Sequence, residues 1–385
     1  MFAAGIVAEY NPFHNGHKYH IEQTKKQGAD HIVVILSGDA VQRGDVAVCS
    51  KYDRAQMAID QGADLVIELP APYSCAPAQV FALNAVRLLG GFGENVIRYM
   101  SFGCECADTD KLESAADLIS ELEHSERFKE LIADGLTYPQ AVSMAAQELS
   151  EDIKDILSDA NNVLGIEYIR AARAVAPWLR TICIKRKGAG HGDDKVYKEF
   201  ANATLLRERI MSGEDISSFV PTVPQGPAAF ISRSDKTILY KIMSADEKSV
   251  QSCPFVTQSL INRLNKAIAR CPGSMDELAE LIKSKDVTMS RVRRFLMHIA
   301  LGITQKDMLT PVPYGRILAL NRKGAQVLVS AKNRTLEYDT SLARLEKNDC
   351  SKRTAFLECN AVRLREVCAG VSFSNEYKRK IVITK

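Results

Sequence analysis

Residues 5–17 read Gly5-Ile6-Val7-Ala8-Glu9-Tyr10-Asn11-Pro12-Phe13-His14-Asn15-Gly16-His17. A short apolar run of the kind that forms a buried strand stops at a tight turn shaped by Asn11 and Pro12. Helical spacing begins at or just after Gly16. A strand that hands over to a helix so quickly opens a strand–helix unit, and the chain keeps that alternation. Residues 31–36 form a second strand pattern rich in Val and Ile, 50–61 a helix ending at Gly62, and 63–69 a third strand stopped by Pro70. Residues 78–89 read as a helix closed by Gly90 and Gly91, and 96–102 as a fourth strand. A mostly helical stretch runs from 108 to about 149, a further helix covers 161–174, and 181–185 is a fifth strand. This order predicts an α/β fold with a parallel sheet, helices on both faces and ligands beyond the carboxyl ends of the strands.

The character changes after about residue 200. Residues 204–211 are helical, 213–224 form a turn-rich linker, and helical patterns dominate 228–302. Strand-like pieces surround Gly315 and Gly324, and the remainder reads as helix up to a basic tail. With 385 residues two domains are expected, 1–210 with the alternating strands and helices and 211–385 mostly α-helical, with the boundary near residue 210. A net charge of +3 rules out a general polycation, so nucleic-acid binding would need a local basic face. Candidates in the second half are Lys283, Lys285, Arg291, Arg293, Arg294, Arg322, Lys323, Lys332, Arg334, Lys378, Arg379 and Lys380. Charge runs of this kind are usually solvated helix faces.

No apolar run reaches the length of a membrane span, and residues 1–9 read as a core strand, not a signal peptide. The ten scattered cysteines, Cys104 and Cys106 the closest pair, are expected to be reduced thiols of a cytoplasmic protein.

The turn itself suggests chemistry. Unpaired N–H groups at a helix start carry partial positive charge and make a seat for phosphate, which Gly16 lets a ligand approach. His14 and His17, three residues apart, fall on one side of the helix. They can donate hydrogen bonds to phosphate and stabilise charge developing at phosphorus. A solvated histidine pair is the plainer alternative. Zinc lacks a third ligand nearby in sequence. Gly103, at the end of the fourth strand, reads equally as a turn glycine or as space for adenine or ribose. Asn161 and Asn162 precede a helix and read as caps or ligands. Arg186 follows the fifth strand, as a phosphate ligand or a surface arginine between Lys185 and Lys187. Gln42, Arg43 and Lys51 read as contacts to pyrophosphate or RNA, or as structural ion pairs.

The H-N-G-H turn resembles the signature of the HIGH nucleotidyltransferase superfamily, which implies a Rossmann-like parallel sheet, with 1–210 as the ATP-binding catalytic domain and 211–385 as a mostly α-helical, tRNA-binding one. The wider set of blocks is similar to one member, the tRNA(Met) cytidine acetate ligase family. Val7 to His17 match its V-x-E-Y-N-P-F-H-N-G-H opening, and residues 37–44 its S-G-x-x-x-Q-R-G block, with Lys51 and Arg54 at basic positions. Residues 62–70, Phe102-Gly103, 161–165 and Lys185-Arg186 continue the likeness, which fades in the second half and returns over 312–324. The chain departs at Cys104, where a serine is usual.

The resemblance implies that acetate attacks the α-phosphate of ATP, giving acetyl-adenylate and pyrophosphate. The wobble cytidine of elongator tRNA(Met) then takes the acetyl group as N4-acetylcytidine. It implies His14 and His17 as catalytic, and nucleotide contacts from Val7, Ala8, Glu9, Tyr10, Asn11, Pro12, Phe13, His14, Asn15, Gly16, His17, His20, Gly103, Asn161, Asn162 and Arg186. Mg2+ is expected to accompany ATP, with no metal ligand set supplied by the protein. No membrane or protein partner is indicated. Two rivals remain. One is an adenylyltransferase acting on a small metabolite, for which the long second half is unneeded. The other is a non-catalytic RNA-binding protein, for which intact His14, Gly16 and His17 are unneeded.

Overall fold

The structure, a computed structural model, describes residues 2–106, 108–134, 136, 138–147, 151–187 and 199–384. The first half follows the alternation in the sequence: β1 (Ala3–Ala8), α1 (Asn15–Lys26), β2 (His31–Ser37), α2 (Lys51–Asp60), β3 (Leu65–Leu69), α3 (Ala78–Gly90) and β4 (Ile97–Cys104). Helices Thr109–Leu122, Glu126–Ala133, Tyr138–Gln147 and Glu151–Ser158 come next, then α4 (Ala160–Val175), β5 (Arg180–Lys185) and α5 (Ala203–Ser212). The last residues of the helical stretch expected up to 149 lie outside the described residues.

β1 to β5 lie in the order β3-β2-β1-β4-β5 and are parallel throughout, with Ile6 opposite both Val34 and Ser101. Ile32, Val34 and Leu36 enter one core while Val33 and Ile35 enter the other. That period of two, with both faces covered, is why β2 is apolar almost without interruption. Gly5 admits α3 closely, since a Cβ there would fall 2.5 Å from Leu89. The chain winds outward from β1 to β3, then returns to place β4 on β1's other side. The resulting switch point opens a crevice at the carboxyl ends of β1 and β4.

The second half supplies α6 (Gln258–Ile268), α7 (Met275–Ile282), α8 (Met289–Leu301), β6 (Tyr314–Leu320), α9 (Arg322–Ser330), β7 (Glu337–Asp339), α10 (Asp349–Ala369) and β8 (Val382–Ile383). β6 runs antiparallel beside β3, Val66 facing Ala319, and β7 and β8 pair with β6. The sheet is therefore mixed, not purely parallel. Strands from beyond residue 210 complete it. The strand piece expected at Gly315 is β6, but Gly324 lies in α9. A Cβ at Gly324 would meet the Asp64 carbonyl oxygen at 2.0 Å, so this glycine serves close helix–strand packing. β7 and β8, at three and two residues, are too short for alternation to show.

One further expectation is corrected, and for Lys51 the structural ion-pair alternative holds. Cys104 and Cys183 are joined as a disulfide across β4 and β5, whereas the remaining eight cysteines are free. The two lie diagonally on neighbouring strands, Cys183 being opposite Phe102, and a separation of 79 residues hides the pair in the sequence. Lys51 is fully buried, its Nζ 2.5 Å from Glu68, 2.9 Å from Glu358 and 2.6 Å from Glu376. Arg316 on β6 adds a 2.6 Å contact to Glu376, and burial with Glu358 nearby holds Glu68 well above the usual carboxylate range. This cluster ties α2 and β3 to α10 and the segment after it. Among the described residues no helix is long and apolar enough to cross a membrane.

Lys51→Met should lower unfolding free energy by about 3–5 kcal/mol in urea titrations, because it strands buried carboxylates without their central cation. A loss below about 1 kcal/mol would show that the cluster relaxes without it.

Candidate functional site

The carboxyl end of β1 is pinned from several directions. Buried Arg54 donates to the carbonyls of Glu9 (2.7 Å), Ser37 (2.9 Å) and Gly38 (2.7 Å). Arg207 of α5 donates to the Asn11 carbonyl at 2.9 Å, and the Asn11 side-chain oxygen accepts the Val48 N–H at 2.8 Å. Tyr10, at φ 50°, and Phe13 are buried under the turn.

His14 is the N-cap of α1, and the two histidines cap reciprocally. The Gly16 N–H donates to His14 Nδ1 at 3.0 Å, and the His14 N–H donates to His17 Nδ1 at 3.2 Å. The rings stack with centroids 3.7 Å apart. A Cβ on residue 16 would fall 2.8 Å from His14 Cε1, so Gly16 leaves room for the capping ring. Burial, then Arg186 and Arg207, push His14 down to about 3. Burial, then His14 and Arg186, hold His17 well below its ordinary value. A neutral imidazole whose Nδ1 accepts carries its proton on Nε2. Both rings therefore have an Nε2–H donor, and both residues line the crevice.

His20 is wired the opposite way. Thr24 Oγ1 donates to the His20 carbonyl, which leaves Ser101 Oγ to donate to Thr24 at 2.7 Å and to accept from His20 Nε2 at 2.9 Å. With its pKa pushed down to about 4 by burial and Arg186, His20 keeps a lone pair on Nδ1. It offers an acceptor where His14 and His17 offer donors.

The first-turn amides are not the open phosphate seat expected from the sequence. The Asn15 N–H donates to the Phe219 carbonyl (2.9 Å), Gly16 to His14 Nδ1, and His17 to the His14 carbonyl (2.9 Å). The capping ring and a distant loop occupy them. The donors that line the cavity here are imidazoles and cations.

The facing wall comes from the ends of β4 and β5. Arg186 Nε lies 2.9 Å from Glu105, whose same oxygen accepts Asn161 Nδ2 at 3.3 Å. Gly103 faces the Arg186 stem, with its would-be Cβ 3.2 Å from Cγ. Lys187 sits over the Tyr19 ring at 4.6 Å. Together the two walls enclose about 240 Å³.

Val7, Ala8, Glu9, Tyr10, Asn11, His14, Gly16, His17, His20, Gly103, Asn161 and Arg186 all line this cavity. Pro12, Phe13, Asn15 and Asn162 are not brought to it. Phe13 is core. Asn15 Nδ2 donates to the Glu199 and Ser218 carbonyls. Asn162 Oδ1 accepts the Glu105 N–H at 3.0 Å and shapes the loop. The cap of α4 is Asp159, not either asparagine. Gln42, Arg43, Lys185 and Lys187 also border the cavity, whereas Lys51 is a buried structural cation. Arg207, Phe81 and Tyr168 line it as well. No spacing in the sequence signals these three, since packing alone brings them there.

The HIGH Nucleotidyl Transferase family model matches residues 1–379. The chain belongs to the HIGH nucleotidyl transferase family. This HIGH nucleotidyl transferase is 34% identical over 363 residues to the tRNA(Met) cytidine acetate ligase of Acetivibrio thermocellus, covering 87% of the chain and 86% of that relative. It is similar to the apo crystal structure of Thermotoga maritima TmcAL, with a TM-score of 0.90 and 26% identity over 100% of this chain and 99% of that one. The form of TmcAL bound with alpha-thio ATP matches at TM-score 0.88 and 25% identity, covering both chains completely.

The depressed histidines set a pH dependence. In the unfolded chain each titrates near its ordinary 6.5, in the folded chain far lower, so protons favour the unfolded state. Stability should be complete above pH 6.5 and decline as pH falls toward 4. Unfolding titrations of His20→Gln should show a decline shallower by up to about 1.4 kcal/mol per pH unit. Parallel curves for the two proteins would contradict a neutral buried His20.

Proposed function

We propose that this protein is an ATP-dependent ligase that activates acetate as acetyl-adenylate and acetylates the wobble cytidine of elongator tRNA(Met), forming N4-acetylcytidine. The observation that carries the reading is the pair of Nε2–H imidazoles at the switch-point cavity, facing Arg186. Acetate oxygen attacks the α-phosphorus, a new P–O bond forms and the bond to pyrophosphate breaks. His14 and His17 donate to the α-phosphate oxygens as charge builds. Lys185, Arg186 and Lys187 offset the charge of the triphosphate, and the His20 Nδ1 lone pair suits a ribose hydroxyl. The cytidine amine then attacks the acetyl carbon, loses a proton and releases AMP. The protein's part is positioning and charge stabilisation.

Mg2+ fits as cargo of the nucleotide. Among the described residues no group of three His, Cys, Asp or Glu could hold a metal, and Glu9 is the only carboxylate bordering the cavity. Phosphate oxygens and water would hold the ion, which neutralises the leaving pyrophosphate. On this reading residues 1–210 carry adenylate chemistry, the helical part of 211–385 receives tRNA, and the enzyme works in the cytoplasm.

Acetate-dependent ATP–pyrophosphate exchange, followed by mass spectrometry of tRNA(Met), tests the proposal. Absence of both activities in the wild-type protein would remove it. His14→Asn, which preserves an N-cap side chain, and His17→Ala should each lose roughly 10²–10³-fold in exchange rate. Their circular dichroism should stay native. Unimpaired exchange in both variants would contradict the assigned roles.

A further inference from the structure

Helix α6 buries Leu260, Ile261, Leu264 and Ala267 against its neighbours. Its outer face carries Asn262, Arg263 and Lys266 and is continued by Arg270, along an open groove of about 550 Å³ closed on one side by Leu281 of α7. Among the described residues no carboxylate lines that groove, and residues 257–272 contain no Asp or Glu. The side chains of Arg263, Lys266 and Arg270 make no ion pair or hydrogen bond among the described residues. Neighbouring cations are neutralised in place: Arg293 by Asp276 at 2.9 Å, Arg353 by Asp307 at 2.8 Å and Lys283 by Glu280 at 3.7 Å. Like charges three and four residues apart on a helix repel one another. A row left without counter-charge is suited to an external anion.

The shape of the row narrows the anion. Its three cations span residues 263–270, about 10 Å at the helical rise per residue, which suits successive phosphates of a strand better than a single one. Beside its start stands Phe255, 42% exposed and at φ 55°. Its N–H donates to Gln305 Oε1 at 2.9 Å and its carbonyl accepts Arg291 Nη2 at 3.3 Å. An aromatic ring on a fixed turn, flanked by a guanidinium and followed by a basic row, matches a polynucleotide strand with an unpaired base. The face is also braced against the catalytic cavity. α6 packs on α7 and α7 on α8. Arg294 of α8 donates to the carbonyl of Gln42, a cavity residue, at 3.2 Å.

We propose that the outer face of α6, namely Arg263, Lys266 and Arg270 with Phe255 at its end, docks the phosphodiester backbone of RNA and holds the body of the tRNA outside the nucleotide cavity. This rests on the tRNA ligase reading above.

The test uses the full-length protein with Arg263, Lys266 and Arg270 all changed to Gln, a second variant with all three changed to Glu, and Phe255→Ala. Acetate-dependent ATP–pyrophosphate exchange without tRNA should match wild type in every variant, which also reports an intact fold. For the Gln variant, Kd and KM for tRNA should rise roughly tenfold or more, and the slope of log Kd against log salt should fall by about two to three, near one per cation removed. kcat at saturating tRNA should hold. The Glu variant should bind more weakly still. Phe255→Ala should weaken tRNA binding without changing the salt slope. Wild-type affinity and slope in the Gln variant, with exchange intact, would overturn the docking surface and leave the ligase reading standing. A wild-type protein that binds no tRNA overturns it too. If the wild-type protein lacks exchange but binds RNA through these residues, the ligase reading falls and the surface stands.

Discussion

At the start of α1 two imidazoles each accept a backbone N–H, one from Gly16 and one from His14 itself. That reciprocal bond fixes which nitrogen carries the proton, stacks the rings and gives both an Nε2–H donor. Burial keeps both rings neutral, so they are donors without being ions. The arrangement has a cost: the Gly16 amide is taken by the capping ring, and the Asn15 and His17 amides by the carbonyls of Phe219 and His14, so none is left to meet a phosphate. The site thus replaces backbone donors with side-chain donors held just as rigidly.

The turn holds its shape because other elements clamp it. Arg54 gathers the carbonyls at the ends of β1 and β2, and Arg207 holds Asn11 from α5. Lys51 gathers Glu68, Glu358 and Glu376 in the interior, so α2 is anchored to the last part of the chain. The carbonyl of Phe219 on Asn15 and Arg294 on Gln42 extend the same dependence. The crevice belongs to the sheet, but its rim is built by residues well beyond α5.

Two anion-facing regions result, with different physics. In the cavity, Arg186 is partly offset by Glu105 and surrounded by neutral histidines, which favours a small, highly charged ligand gripped in an enclosed space. On α6, Arg263, Lys266 and Arg270 stand in an open groove without counter-charge, which favours a long and screened one. A nucleotide and an RNA strand differ in just these respects.

The amino-acid sequence by itself determined the local features. The apolar runs of β1 to β5, the tight turn after Glu9, the two histidines on one side of a helix start, and Gly103 and Arg186 at strand ends all follow from periodicity and short-range spacing. These are properties of neighbouring residues, so they can be read without knowing the fold. Tertiary structure alone decided the partners. It set β6 antiparallel against β3, joined Cys104 to Cys183, buried Lys51 among carboxylates as far along the chain as Glu376, and brought Asn161 to the cavity while turning Asn162 into the loop. Periodicity reports that a face is covered, but what covers it depends on long-range register and packing, which no local pattern encodes.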